Sequence, residues 1–143
     1  MRSNIFHHPK IGSWFGASPE QLLKTEEGSK MSTVALAGTQ VLQILKVLLG
    51  PAKVKQQLVT EFIIDQIEDF VKDTTISSPY TEKAGSLYHI KTDISAHLKT
   101  KKSLKNIILS LHPTSAVCGL PKSIAKAFID KNEEYNREYY SGF

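Results

Sequence analysis

Leu111-His112-Pro113-Thr114-Ser115-Ala116-Val117-Cys118-Gly119-Leu120-Pro121 separates two short apolar patterns of helical period. Neither helix can run through it, because Pro113 and Pro121 lack a backbone donor and restrict φ. Its small side chains let another group come close to the backbone, and Gly119 permits φ > 0. That is the build of a loop that touches a ligand. It is also the build of a plain inter-helix turn, which is what most Pro/Gly clusters are. Upstream, Ser103 is suited to cap a helix carrying Leu104, Ile107, Ile108 and Leu111 on one side. Downstream, Pro121 opens a helix with Ile124, Ala125, Phe128 and Ile129 turned inward.

Further from the loop, Leu87 to Ile94 alternates as a strand, with Tyr88, Ile90 and Ile94 on one face and His89 and Lys91 on the other. Val54, Leu58 and Phe62, with Val59, Ile63, Ile67, Phe70 and Val71, form the apolar stripe of a long helix that Thr74 to Pro79 interrupts. Val41, Ile44, Leu45 and Leu48 predict a short helix ended by Gly50-Pro51. Met31 to Ala37 predicts a strand ending at Gly38-Thr39, and Ile11 to Phe15 a shorter one. Ser18-Pro19-Glu20 has the form of a helix start, with Ser18 as cap and Pro19 in the first turn. Residues 1–10, including His7-His8, are expected to be a tail. Strands and helices without regular βαβ alternation imply an α+β fold.

Composition narrows the function classes. The 143 residues suffice for one domain, and 41% are hydrophobic. Lys+Arg 18 against Asp+Glu 14 gives a net charge of +4, and Lys99, Lys101, Lys102 and Lys105 cluster without interleaved aromatics. That is too sparse for a nucleic-acid footprint and is expected to be a solvated loop. The single Cys118 excludes an intramolecular disulfide and fits a cytoplasmic setting. No apolar run is long enough to span a bilayer. The Walker, Rossmann and Gly-x-Ser-x-Gly spacings are missing.

Six segments then fall in one order: Trp14 to Glu20, Ala35-Leu36-Ala37-Gly38-Thr39, Gln57-Leu58-Val59-Thr60, Leu87 to Thr92, Leu111 to Pro121, and Glu134 to Gly142. Their order and spacing resemble the chorismate-binding domain shared by isochorismate, salicylate, anthranilate and aminodeoxychorismate synthases, over about Ile11 to Phe143. The resemblance implies the antiparallel sheet with flanking helices of the chorismate-utilising fold, and chorismate as the partner. Anthranilate and aminodeoxychorismate synthases usually carry Gly-Thr-Leu/Val-Ser-Gly-Ala-Pro in the loop. Ser115-Ala116-Val117-Cys118-Gly119-Leu120-Pro121 resembles the isochorismate synthase branch, which adds water rather than ammonia. That branch feeds menaquinone or catechol siderophore synthesis. Salicylate synthases lie close by.

The resemblance also assigns roles. Water attacks the ring and the 4-hydroxyl leaves, which requires a proton donor. The glutamate of the family's Ser-Pro-Glu motif takes that role, and it matches Glu20. Gly38 and Thr39 match a segment whose amides bind a carboxylate, His89 matches a pocket histidine, and Ala116 matches a small pocket residue. Arg137 is expected to be structural. The family's catalytic base is a lysine upstream of the Ser-Pro-Glu segment; Lys10 is too close to that segment, so no base is assigned. The complete family enzyme holds magnesium on glutamates. The position of one of them, just before Leu58-Val59, is Lys55 here, and Lys53 stands where another acid is common. An ammonium cannot ligate a metal, so no magnesium ligand is assigned. The expectation is a partial domain, shorter than the family at both ends, enzymatic only in a complete form; the alternative is a non-catalytic remnant or interaction module, or a chorismate enzyme of the salicylate or anthranilate synthase type.

Overall fold

A computed structural model describes residues 2–18, 21–26, 28–41 and 49–138. Among these, seven strands and four helices follow in the order β1 (Arg2–His8), β2 (Gly12–Ser18), β3 (Lys24–Glu26), β4 (Lys30–Val41), α1 (Leu49–Ile67), β5 (Val71–Ile76), β6 (Tyr80–Ala84), β7 (Leu87–Leu98), α2 (Ser103–Leu111), α3 (Ser115–Cys118) and α4 (Lys122–Asn132). This is the α+β class expected from the sequence. β1 and β2 form an antiparallel hairpin of their own. The main sheet runs β3-β4-β7-β5, with β6 also paired to β7, all antiparallel.

The long strand β7 organises the sheet because its pattern has a strict period of two. Ile90, Thr92, Ile94, Ala96 and Leu98 are buried toward α1, while Asp93 and His97 on the opposite face are exposed. On that outer face Lys91 lies 2.7 Å from Glu82 and 3.5 Å from Asp93, and the Tyr80 hydroxyl donates to Asp93 at 2.8 Å. Met31, Ala35, Ile63, Ile67, Ile94, Ile107 and Leu111 pack as one cluster between the sheet, α1 and α2.

Two contacts seat α1 on the sheet. Gly38 has φ +68°, and a Cβ added there would lie 2.8 Å from the Ala52 Cβ. One turn along, Gln56 is 1% exposed, and its Nε2 donates to the Ala35 carbonyl at 2.8 Å and to Thr92 Oγ1 at 3.0 Å. One buried amide therefore ties the helix to both central strands. Its Oε1 has no hydrogen-bond partner among the described residues. Lysines close two helix C-termini, where free carbonyls and the helix dipole favour a cation. Lys99 donates to the Glu68 and Asp69 carbonyls at 3.3 and 2.9 Å. Lys122 donates to the Ser110 and His112 carbonyls at 2.5 and 2.8 Å.

Several expectations require correction. Residues 2–8, expected within a tail, form β1, whose His7 Nδ1 lies 2.9 Å from Ser13 Oγ on β2. Ser18 ends β2, Pro19 and Glu20 lie outside the described residues, and residues 21–26 form a bend and β3. The proposed helix over 41–49 falls mostly outside the described residues; Val41 ends β4, and Gly50-Pro51 lies in the first turn of α1 instead of ending a helix. Proline is tolerated there because first-turn N–H groups have no intrahelical acceptor. Val71 to Ile76 is strand β5, with Val71 buried and no longer helical. β6 was not foreseen; its Tyr80-Thr81-Glu82-Lys83-Ala84 carries little apolar signal. Ser103 makes no cap bond, its Oγ accepting instead from the Thr100 N–H at 3.2 Å. Lys99 is a helix cap and not only part of a solvated cluster. The apolar face of α4 is not inward: Ile124 is 69% and Phe128 66% exposed.

Gly38→Ala is expected to destabilise the protein by roughly 2–4 kcal/mol, combining overpacking against Ala52 with left-handed backbone strain. Urea denaturation measures this. The double variant Gly38→Ala/Ala52→Gly should recover the steric part and leave the backbone part.

Candidate functional site

Beyond Ser32 the outer edge of β4 carries no strand among the described residues, since β3 pairs only with Lys30 to Ser32. A cavity of about 800 Å³ opens along this edge, within the range of small-molecule sites. Its floor is β4 from Thr33 to Ala37, one wall is α1 at Lys55, Leu58, Val59 and Phe62, and the other is the segment Leu111 to Leu120. The proline- and glycine-bounded segment after α2 is thus a cavity wall and not merely a connection.

Local chemistry holds that wall in place. Thr114 begins the single turn α3, its carbonyl accepting from the Val117 and Cys118 N–H groups at 3.0 and 2.9 Å. Gly119 follows at φ +93°, and a Cβ there would meet the Ala125 Cβ at 3.4 Å. Glycine at this position reverses the chain without backbone strain. Cys118 is buried, and its Sγ lies 3.6 Å from the Lys122 carbonyl. The Lys122 ammonium reaches back over the loop to Ser110 and His112, 6.0 Å from the centre of the Phe62 ring. Burial lowers the Lys122 pKa. His112 lines the cavity, and its pKa is lowered by burial and by the neighbouring Lys122 charge.

The assigned residues fall in two places. Gly38, Thr39 and His89 come together near the end of β4, where the register shifts between Ala37 and Gln40. There Thr39 Oγ1 lies 3.0 Å from His89 Nδ1. A hydroxyl that donates to Nδ1 holds the imidazole proton on Nε2, which has no partner among the described residues. Ala116 lines the cavity, as does Ala37, the neighbour of Gly38. Glu20 lies outside the described residues; Gln21, the next residue, lines the cavity. Arg137 makes a two-pronged contact with Glu133, both distances 2.5 Å.

Some site residues escaped the sequence pattern. The helical period places Leu58 and Phe62 in the core stripe of the long helix, yet Leu58 is 50% exposed and both line the cavity. The pattern held a clue: Val54, Leu58 and Phe62 form one i, i+4 line and Val59, Ile63 and Ile67 another. Only Ile63 and Ile67 are fully core. His112 and Lys122 carried no signal, because only folding brings them together.

The sequence matches the family described as chorismate binding enzyme over residues 2–143. The chain belongs to the chorismate-binding enzymes. It is 36% identical to the isochorismate synthase MenF of Pasteurella multocida, over 91% of this chain and 32% of that protein. It is 32% identical to the salicylate biosynthesis isochorismate synthase of Pseudomonas aeruginosa, over 90% of this chain and 29% of that protein. The fold is similar to the solved menaquinone-specific isochorismate synthase MenF of Escherichia coli, with TM-score 0.78 and 26% identity, covering 90% of this chain and 32% of that one. The chain therefore spans about a third of the length of these relatives. Lys55 stands where the family resemblance implies an acid, and among the described residues it is the only Lys, Arg, Asp or Glu lining the cavity. Among the described residues no group of three His, Cys, Asp or Glu side chains could hold a metal ion.

Because the folded-state pKa of His112 lies below its usual 6.5, the unfolded chain binds more protons as pH falls through 6.5. Stability is therefore expected to decline on acidification from about pH 6.5 until the folded-state pKa is passed. Thermal melts from pH 7.5 to 5 measure this, and His112→Asn should flatten the decline.

Proposed function

We propose that this chain forms part of an isochorismate synthase, with the 800 Å³ cavity contributing to the substrate pocket that interconverts chorismate and isochorismate. The observation that carries this reading is the 36% identity to an isochorismate synthase over 91% of the chain. The cavity supports it, since its wall is the Ser115 to Pro121 loop whose residues resemble the water-adding branch. The menaquinone-specific relatives favour that pathway over siderophore synthesis.

In this reading Ala116 keeps the wall thin enough for a ring to lie against it, with Leu58 and Phe62 as apolar surface. His89 presents Nε2 as a hydrogen-bond donor to a substrate carboxylate or hydroxyl, with Thr39 orienting the ring. Gly38 keeps the backbone free of a side chain beside that pair. Glu20 protonates the departing 4-hydroxyl, so it must be a neutral acid when substrate arrives. Magnesium, proposed for the complete enzyme, does not fit the donor set of the described cavity, where Lys55 takes the place of a carboxylate. No step through the metal is assigned here. The reading also places the protein in the cytoplasm.

The chain is expected to bind chorismate, seen as a raised melting temperature that Ala116→Phe abolishes by filling the cavity. It is expected to give no isochorismate with magnesium in a coupled assay, because no base and no metal ligand is assigned to it. Turnover that disappears in Glu20→Gln would overturn the second expectation. A melting temperature that chorismate leaves unmoved counts against the proposed function.

A further inference from the structure

The same cavity has an unusual charge balance. Its walls are largely apolar, and among the described residues Lys55, which has no ion-pair partner there, supplies the one side-chain formal charge lining it at neutral pH. Burial and the neighbouring Lys122 keep His112 toward its neutral form. Across the cavity, the Thr114 and Ser115 hydroxyls line the loop wall and have no hydrogen-bond partners among the described residues. A lone ammonium repels a divalent cation and attracts a carboxylate, more strongly beside apolar walls than in open water. Apolar surface at Leu58 and Phe62 lies beside that charge and suits a ring.

We infer that this cavity binds a ring-bearing carboxylate directly on the Lys55 ammonium, without a divalent cation between them. The inference rests on the proposed chorismate reading and deepens it: a fixed positive side chain replaces the metal as counter-charge. The Thr114 and Ser115 hydroxyls hold the polar substituents on the far side of the ring. Lys55 is exposed on α1 and makes no core contact, so its substitution leaves the fold intact.

Isothermal titration of the full chain with chorismate, first in EDTA and then in magnesium chloride, tests this. The expected result is binding of similar affinity in both buffers. Lys55→Gln should weaken it about tenfold and Lys55→Arg far less, as for loss of one charge-assisted hydrogen bond. Added salt should weaken binding by the unsubstituted chain but hardly affect Lys55→Gln. Binding that requires magnesium would overturn the inference and leave the chorismate reading standing. So would an unchanged affinity in Lys55→Gln. If chorismate fails in both buffers while benzoate binds in EDTA and is lost in Lys55→Gln, the carboxylate site stands and the chorismate reading falls. Failure of both ligands overturns both.

Discussion

The contact between Gly38 and Ala52 sets the position of everything that follows. A residue without a side chain, in the left-handed region, lets the first turns of α1 lie against the end of β4. Gln56 then locks that approach with hydrogen bonds to both central strands. Once the helix is seated there, Ile63 and Ile67 enter the core, and Lys55, Leu58 and Phe62 are left facing the open edge of β4. The cavity is the space between a helix held close and a strand edge left unpaired among the described residues. Buried polar contacts of this kind are costly to misplace, because a severed amide leaves an unsatisfied group in the core.

A second constraint acts at the loop. Lys122 lies beyond the Leu111 to Pro121 segment yet bonds to carbonyls at its start. It thereby closes the C-terminus of α2 and keeps both ends of the loop together. The cation lies near the Phe62 ring on α1, so the same side chain links two cavity walls. Burial, and with it the positive end cap, lowers the pKa of His112.

On the other side of α1, a second cavity of about 520 Å³ touches Gln56, Thr60 and Thr92. Elsewhere Ile124 and Phe128 on α4, and Ile5 and Phe15 on the hairpin, are left exposed. These faces belong to a chain that spans about a third of its relatives' length. No described helix is long and apolar enough to cross a membrane.

The sequence by itself determined the α+β class, the long helix, the strand at Leu87 and the family, since local periods and ordered motifs survive without tertiary context. It marked Gly119 as a turn residue because only glycine enters that conformation freely. It could not decide which apolar line of α1 enters the core, because both lines have helical spacing and the sheet selects between them. Nor could it place Ser18 in a strand, since a serine before proline also suits a helix start and only pairing with Arg2 puts it there. Tertiary structure alone brought Thr39 to His89 across fifty residues of chain, set Ala116 apart from that pair, and put Lys55 on the wall of the cavity. These relations depend on distance in space, which separation along the chain does not encode.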